Sequence, residues 1–259
     1  MAKVKIGALS LNVATEGDRK APALVLAHPL GADMTVWDEL APALAQKFFV
    51  VRFDARGHGG SDVPPGPYSL DDFGGDVLAL LDALAIGRAS FLGLSMSGAV
   101  GQWLAIHAPE RLDKLVLANT ALHFPTPESW NARIRTARRG DMAGLAAAVI
   151  ERWLTASFRA AHPEKTERIQ SVLRKTSAEG YAASCAALRD LDLRDAIRAA
   201  PPLSALVMTG NADPSTPPAL GEALARTLPG ARLARLPGAH LACVESKEAF
   251  LAAVSEFLD

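Results

Sequence analysis

The residues best suited to chemistry in this sequence surround Ser95. The segment Gly93-Leu94-Ser95-Met96-Ser97-Gly98 follows an apolar run at 89–94 and precedes a helical pattern at 100–107. A strand that turns at once into a helix raises a serine hydroxyl above the edge of a sheet, and it requires small neighbours. The first turn of such a helix also offers free backbone N–H groups to an anion. The segment therefore predicts a nucleophile elbow with Ser95 as the attacking group.

One residue departs from the usual elbow pattern, which is Gly-x-Ser-x-Gly. This chain has Ser97 where the last glycine stands. The added hydroxymethyl group must fit where strand and helix approach closely, so we expect a small adjustment of the elbow. The alternative interpretation of Ser95 is an ordinary helix N-cap, and the flanking Gly93 and Gly98 disfavour it.

Two further side chains supply what a serine nucleophile needs. Asp213 and His240 follow apolar runs at 203–208 and 231–236. The carboxyl ends of parallel strands share one sheet edge, so both residues are expected beside Ser95. Serine needs a base to remove its proton, and imidazole exchanges protons near neutral pH. The chain order Ser, Asp, His predicts a catalytic triad in which Asp213 orients the His240 ring.

Each member of this triad has a structural alternative. Asp213 alternatively caps the helix that follows it, and His240 alternatively belongs to an ordinary turn. Glu245 is a nearby rival acid, which the pattern assigns to the final helix. The three catalytic assignments support one another, because each residue follows a different predicted strand.

An acyl-transfer site also needs two N–H donors for the oxyanion. Met96, directly after the nucleophile, is the first predicted donor, and Leu30, in the turn His28-Pro29-Leu30-Gly31, is the second. His28 is expected to orient this turn.

The elements that must position these residues alternate between strands and helices, which predicts the α/β class with a doubly wound, mostly parallel sheet. An antiparallel hairpin is predicted around Gly7. Apolar runs predict the parallel strands at 23–27, 48–53, 89–94, 115–118, 203–208 and 231–236. Helical spacing recurs at 36–46, at 73–84 with Gly87 as its end, and in a last helix through Phe257.

The strand pattern stops between residues 125 and 200, where Ala-rich and Arg-rich helical stretches replace it. A helical insertion between two strands of a parallel sheet is expected to lie over their carboxyl ends. We therefore predict an α/β core at 1–124 and 201–259, and a helical cap at 125–200.

Composition and motifs exclude several other functions. The net charge of −1 gives no electrostatic basis for binding nucleic acid or an anionic membrane. The histidines show no metal-ligand spacing. The glycine-rich loop 54–62 lacks a phosphate-binding pattern, so we interpret it as a turn held by Asp54 and Arg56. The start of the chain lacks a signal-peptide core, and the two cysteines are expected to be free thiols in the cytoplasm, with a single disulfide as the alternative.

Several segments strongly resemble 3-oxoadipate enol-lactonases, which are α/β-hydrolases of the β-ketoadipate pathway of aromatic catabolism. They include the elbow and its helix, and three further stretches: His107-Ala108-Pro109-Glu110-Arg111-Leu112, Gly180-Tyr181-Ala182-Ala183-Ser184-Cys185 and Asp213-Pro214-Ser215-Thr216-Pro217-Pro218. The resemblance runs from about residue 24 to residue 258 and includes the cap.

This resemblance implies hydrolysis of 3-oxoadipate enol-lactone through an acyl-enzyme, with no metal or organic cofactor. The carboxylate of such a small-molecule lactone requires a cation, for which we choose Arg133 among the cap arginines. Trp130 and Trp153 are expected to wall the lactone, although core packing is an alternative for at least one of them. A carboxylesterase, a cofactor-free perhydrolase and a ligand sensor on the same scaffold are alternative functions. Both a monomer and a homo-oligomer are compatible with the sequence.

Overall fold

The computed structural model describes residues 1–124 and 126–259, and Pro125, the first residue of the predicted cap, lies outside the described residues. Eight strands in the described residues form one sheet with the order β1-β2-β4-β3-β5-β6-β7-β8. The strands are β1 (Ala2–Ile6), β2 (Leu9–Glu16), β3 (Ala23–Ala27), β4 (Phe49–Phe53), β5 (Ala89–Leu94), β6 (Leu112–Ala118), β7 (Ala205–Gly210) and β8 (Ala231–Leu236).

The sheet is parallel from β4 to β8, and the hairpin β1–β2 adds two antiparallel strands at one edge. Every residue of β3, β5 and β7 is buried, as expected for strands covered on both faces. The chain crosses from β4 back past β3 to β5, so the strand order reverses between β3 and β5. A doubly wound sheet opens its ligand crevice at such a reversal. The mostly parallel sheet and its reversed strand order confirm the predicted α/β, doubly wound fold class.

Helices connect these strands. They are α1 (Ala41–Leu44), α2 (Leu70–Ala83), α3 (Met96–His107), α4 (Pro127–Arg138), α5 (Met142–Trp153), α6 (Ala156–Ala161), α7 (Pro163–Lys175), α8 (Ala178–Arg189), α9 (Pro218–Thr227), α10 (Ala242–Glu245) and α11 (Lys247–Leu258). Helix α3 packs on β5 and β6, and α9 packs on β7 and β8. No helix in residues 1–124 and 126–259 combines the length and apolar character needed to cross a membrane.

Two predicted helices differ from the structure. The continuous helix at 36–46 is wrong: a 3-10 helix at Met34–Trp37 and the short α1 replace it. Pro42 lacks the N–H that a continuous helix would use at this point. Gly87 also does not end α2. The helix ends in a Schellman motif, in which Ile86 N–H donates to the Leu81 carbonyl and Ala85 takes the left-handed φ of 55°.

Helices α4 to α8 occupy the interval between β6 and β7, with α4 packed on α8 and α5 on α7. This helical segment touches the core at several loops. Thr176 Oγ1 donates to the Gly31 carbonyl at 2.9 Å, and Leu241 N–H donates to the Trp153 carbonyl at 2.9 Å. The division into a core at 1–124 and 201–259 and a cap at 125–200 stays a prediction.

Helix and sheet approach each other very closely beneath the elbow. A Cβ atom built on Gly93 would lie 2.1 Å from the backbone oxygen of Ser97, so β5 and α3 meet where only glycine fits. By contrast, a Cβ on the exposed Gly75 of α2 would meet nothing within 4 Å.

We expect Gly93→Ala to lower the free energy of unfolding by at least about 2 kcal/mol, because the obstacle is backbone that cannot rotate away. The matched control Gly75→Ala makes the same change in open space, and it should stabilise the protein by about 0.5–1 kcal/mol. Urea denaturation of both variants tests this pair. Equal effects of the two substitutions would contradict the close approach.

Candidate active site

Ser95 occupies the junction between the last residue of β5 and the first residue of α3. Its backbone has φ 56° and ψ −111°, a conformation that non-glycine residues seldom adopt. Neighbouring backbone holds it there: Ser95 N–H donates to the Ala118 carbonyl at 2.9 Å, and Thr120 Oγ1 donates to the Ser95 carbonyl at 2.8 Å. The strand, the strained residue and the helix thus form the elbow geometry expected from the sequence pattern.

Asp213 and His240 lie together beyond the ends of β7 and β8. The Nδ1 atom of His240 lies 2.8 Å from Oδ2 of Asp213, and both side chains are buried. The Asp213 carboxylate also accepts hydrogen bonds from Ser215 N–H, Thr216 N–H, Thr216 Oγ1 and Asn119 Nδ2. An acid with so many donors stays fixed in orientation, and because it binds His240 through Nδ1, Nε2 is the ring nitrogen left to act as a base.

These donors decide the ionisation of Asp213. Burial by itself raises the pKa of this carboxyl, but the imidazole of His240 and the hydrogen bonds from His240, Thr216 and Asn119 outweigh burial. The net result is a pKa below the ordinary value for aspartate, so Asp213 is an anion at neutral pH.

Leu30 and Met96 each present a backbone N–H that makes no hydrogen bond within the described residues 1–124 and 126–259. Leu30 is the first central residue of a turn closed by a hydrogen bond from Ala32 N–H to the Pro29 carbonyl, and Gly31 follows with φ 82°. The first central residue of such a turn keeps its own N–H unpaired. Free donors beside a nucleophile are what an oxyanion requires.

Ser95 and His240 line one cavity of about 560 Å³, together with Leu30, Trp130, Arg133 and Trp153. Within the described residues Ser95 Oγ makes no hydrogen bond to His240, and contacts between nucleophile and base are often loose before substrate binds. The cavity therefore contains every predicted site side chain except Met96, which supplies backbone, and Asp213, which lies behind His240.

Two arginines give this cavity a positive end. Arg133 stacks on the ring of Trp130, with its guanidinium carbon 4.5 Å from the ring centroid, and Arg152 lines the same space. Neither forms a salt bridge with a carboxylate in the part of the chain that the structure describes. Burial, followed by repulsion from Arg133, lowers the pKa of Arg152. Two close guanidinium groups without an internal anion form a site suited to a ligand carboxylate.

Both predicted tryptophans are buried cavity walls. Trp130 Nε1 donates to the Phe124 carbonyl at 3.3 Å, and the two rings pack edge to face. Trp153 lies beside the base, with its ring 6.2 Å from the His240 ring and inclined by 32°. Each ring therefore packs against protein on one side and borders the cavity on the other.

Comparison with known proteins agrees with this geometry. A family profile described as the alpha/beta hydrolase fold matches residues 22–247. The chain is 39% identical to 3-oxoadipate enol-lactonase 2 of Acinetobacter baylyi over 246 residues, which are 95% of this chain and 92% of that relative. It is 34% identical to 3-oxoadipate enol-lactonase 1 of the same organism, over 96% of this chain and 93% of the relative. The crystal structure of an enol-lactonase from Burkholderia xenovorans LB400 superposes with a TM-score of 0.97, at 38% identity over 99% of each chain. This chain belongs to the α/β-hydrolase family, among its 3-oxoadipate enol-lactonases.

Glu245, the rival of Asp213 as the acid, differs from its predicted position and has a different role from Asp213. Glu245 ends the short helix α10, which precedes the final helix α11, so its assignment to the final helix is wrong. Its carboxylate accepts hydrogen bonds from Thr155 N–H and Thr155 Oγ1 at 2.8 Å, and from Ala239 N–H at 3.3 Å. Glu245 thus joins the α5–α6 turn to the loop that carries His240.

Sequence patterns alone missed several residues around the site, namely Asn119, Thr216 and Arg152. Asn119 follows β6 just as Ser95 follows β5, so the strand-end rule could have selected it. Val149 of α5 also lines the cavity, and Arg152 lies three residues after it, which places both side chains on one helix face. Thr216 offered no such signal, because a turn threonine is common without any catalytic partner.

The possible metal ligands in the described part of the chain are dispersed. Within residues 1–124 and 126–259, no group of three or more His, Cys, Asp or Glu side chains is arranged to hold a metal ion. The cysteines Cys185 and Cys243 are free and buried, which settles the choice between thiols and a disulfide. Burial raises the pKa of both thiols to about 12, so neither is a nucleophile at neutral pH.

Two buried histidines hold the turn that carries Leu30. His28 Nε2 accepts the Ala55 N–H at 2.9 Å while its Nδ1 faces the Pro29 carbonyl at 2.8 Å. His58 Nε2 accepts the Gly31 N–H at 2.9 Å while its Nδ1 faces the Arg56 carbonyl at 3.0 Å. Each Nε2 accepts a backbone N–H, so each ring is neutral with its proton on Nδ1.

The glycine-rich loop 54–62 differs in one detail from its predicted form. Asp54 holds the loop as expected, because its Oδ2 accepts Gly60 N–H at 2.8 Å. Arg56 instead reaches out of the loop and pairs with Asp72 and Asp76 of α2. A guanidinium fork binds two carboxylates more effectively than it closes a tight turn.

The neutral state of His58 predicts a pH dependence of stability. Burial, which disfavours the charged ring, is the main cause that lowers the pKa of His58 to about 3. Between pH 6.5 and about 3 the unfolded chain therefore binds a proton that the folded chain does not, so stability falls as the pH falls below 6.5. Because of His58, we expect the free energy of unfolding to be about 2 kcal/mol lower at pH 5 than at pH 7.

Urea denaturation at both pH values measures the effect. In His58→Gln the amide oxygen still accepts the Gly31 N–H, and the loss between pH 7 and pH 5 should shrink by about that amount. The control His162→Gln changes an exposed histidine and should keep the wild-type slope. An unchanged slope in His58→Gln would contradict the assignment.

Proposed function

We propose that this α/β-hydrolase opens the ring of 3-oxoadipate enol-lactone and releases 3-oxoadipate, a reaction of the β-ketoadipate pathway of aromatic catabolism. The observation that carries the proposal is the single cavity in which Ser95 and His240 face two arginines that have no carboxylate partner in the described residues. The first pair suits attack on an ester, and the second suits the carboxylate arm of this lactone. The enol-lactonase relatives support the same substrate.

Ring opening begins with attack of Ser95 Oγ on the lactone carbonyl carbon, while His240 Nε2 takes the hydroxyl proton. The carbonyl oxygen becomes an oxyanion, which accepts hydrogen bonds from the N–H groups of Leu30 and Met96. Asp213 stabilises the imidazolium that forms. The bond from carbonyl carbon to ring oxygen then breaks, and His240 returns its proton to the departing enol oxygen.

The departing enol stays attached to the acyl group through the carbon chain, and it isomerises to the ketone. Water then attacks the carbonyl carbon of the Ser95 ester while His240 takes a proton from it. The second oxyanion that forms accepts hydrogen bonds from the same two N–H groups. The Ser95 ester bond breaks, His240 reprotonates Ser95 Oγ, and the new carboxylic acid leaves as its anion. His240 carries the protons of both acyl-transfer steps, whereas the isomerisation of the enol and the final ionisation of the acid exchange protons with solvent.

Arg133 and Arg152 bind the carboxymethyl arm in this proposal, and Trp130 and Trp153 flank the ring. We further place the reaction in the cytoplasm, because both cysteines are free and buried. The substrate is a small molecule, and the site offers no role for nucleic acid.

Ser95→Ala should abolish enol-lactone hydrolysis, with a loss of at least about 10³-fold, because the nucleophile is removed. Loss of ultraviolet absorbance of the lactone measures turnover, and circular dichroism shows whether the fold survives. The control Ser184→Ala removes a buried hydroxyl that donates to the Gly180 carbonyl, and it should retain turnover. Full activity in Ser95→Ala would end the proposal.

Arg133→Met should raise KM for the anionic enol-lactone by about tenfold or more, because it removes a charge-assisted hydrogen bond. The KM for the neutral ester p-nitrophenyl acetate should stay unchanged. Arg138→Met is the matched control, since Arg138 lies on the same helix but is exposed. Equal KM changes for the charged and neutral substrates would exclude Arg133 as the carboxylate ligand.

A further inference from the structure

Ser97 carries a hydroxyl that the usual elbow pattern lacks, and the structure gives this hydroxyl one defined partner. Ser97 Oγ donates to the His28 carbonyl at 2.6 Å, and Ser97 is 3% exposed. The hydroxyl does not cap α3, because the N-cap position belongs to Ser95. The bond thus joins the first turn of α3 to the chain beyond the end of β3.

The His28 carbonyl belongs to the peptide bond that leads into the turn of Leu30. Pro29 follows His28 and has no N–H, so this peptide cannot donate a hydrogen bond that would fix it. The His28 carbonyl is therefore the polar group through which a hydrogen bond can fix this peptide. Leu30, whose N–H faces no acceptor in the described residues, lies two residues further along.

The other contacts of this turn lead elsewhere in the molecule. His58 holds Gly31 N–H, Thr176 Oγ1 of the helical insertion holds the Gly31 carbonyl, and the His28 ring reaches Ala55. Ser97 differs from these because it stands on the same helix turn as Met96. Its hydroxyl directly couples the element that carries one oxyanion donor to the element that carries the other.

We infer that Ser97 is a positioning residue, which fixes the separation of the Leu30 and Met96 N–H groups through the His28 carbonyl. The inference rests on the proposed hydrolytic function. Donors stabilise an oxyanion only when they are already placed where charge develops, and a displacement of a fraction of an ångström weakens them. Such a displacement reduces transition-state stabilisation and leaves ground-state binding unchanged, so its signature lies in kcat.

The surroundings of Ser97 make the hydroxyl testable by substitution. A small cavity borders Ser97, and its walls include Ala27, Ala55, Val100 and Asp76. We expect this space to accommodate the extra methyl group of threonine, which keeps the hydroxyl. Apart from Ser97, the polar side chain in these walls is Asp76, and both of its carboxylate oxygens accept hydrogen bonds from Arg56. The walls therefore offer no replacement donor to the His28 carbonyl when the hydroxyl is removed.

The experiment compares Ser97→Ala, Ser97→Thr and the control Ser184→Ala. Ser184 is also a buried serine that donates to a backbone carbonyl, at 2.7 Å, but it lies on α8. The substrates are the enol-lactone and p-nitrophenyl acetate. Phenylboronic acid serves as a tetrahedral inhibitor, because its adduct on Ser95 presents an oxygen to the same donors.

We expect Ser97→Ala to lower kcat about 5- to 10-fold on both substrates with KM within about twofold of wild type. The inhibition constant of phenylboronic acid should rise by the same factor, since the adduct loses the same donors. Ser97→Thr should regain at least about half of the lost kcat, and Ser184→Ala should change neither quantity.

A kcat of Ser97→Ala within twofold of wild type would overturn the inference. So would a loss that leaves phenylboronic acid inhibition unchanged, because the donors would then be intact. If Ser97→Ala does not fold, Ser97→Gly restores the usual elbow pattern, and the same criteria apply to it. Wild-type hydrolysis of p-nitrophenyl acetate without lactone turnover would overturn the substrate proposal alone and leave this test valid.

Discussion

The close approach of α3 to β5 is the constraint on which the site depends. At Gly93 the helix backbone comes so near the strand that a single methyl group would collide with the Ser97 oxygen. This contact leaves one residue, Ser95, to reverse direction, and that residue takes a strained backbone conformation. The strain is sustained by hydrogen bonds with Ala118 at the end of β6 and with Thr120 just beyond it, and by the packing of α3 on β5 and β6. The exposed position of the nucleophile is therefore a consequence of tight core packing.

A second level of organisation is electrostatic. Asp213 is buried as an anion because five hydrogen-bond donors converge on its two oxygens. His28 and His58, which hold the turn of Leu30, are instead neutral because each ring accepts a backbone N–H. At the other end of the cavity Arg133 and Arg152 keep positive charge without an internal partner in the described residues. One region thus places an anion, two neutral histidines and two cations at different positions. This arrangement suits the proposed acyl transfer on a substrate that carries a carboxylate.

The turn around Leu30 links these parts. Three parts of the molecule contact residues 28–31 of this turn. They are the elbow helix α3, the loop of His58, and Thr176 of the helical insertion. Trp153 and Glu245 make similar links between that insertion and the His240 loop. The insertion is therefore fixed to the same loops that present the proposed oxyanion donor and base, and a displacement of one is expected to disturb the others.

The sequence by itself determined the α/β class, the strand-end positions of Ser95, Asp213 and His240, and the helical character of the segment between β6 and β7. These follow from local periodicity and from the rule that parallel strands end at one edge. Local patterns failed at Ala85 and Pro42, where single residues decide how a helix ends or breaks. Only the tertiary structure decided that Asn119 and Thr216 support Asp213, that Arg152 joins Arg133, and that the Ser97 hydroxyl meets the His28 carbonyl. Those contacts join residues that are far apart in the chain. They form only when the sheet and its helices pack, so the local spacing of residues cannot predict them.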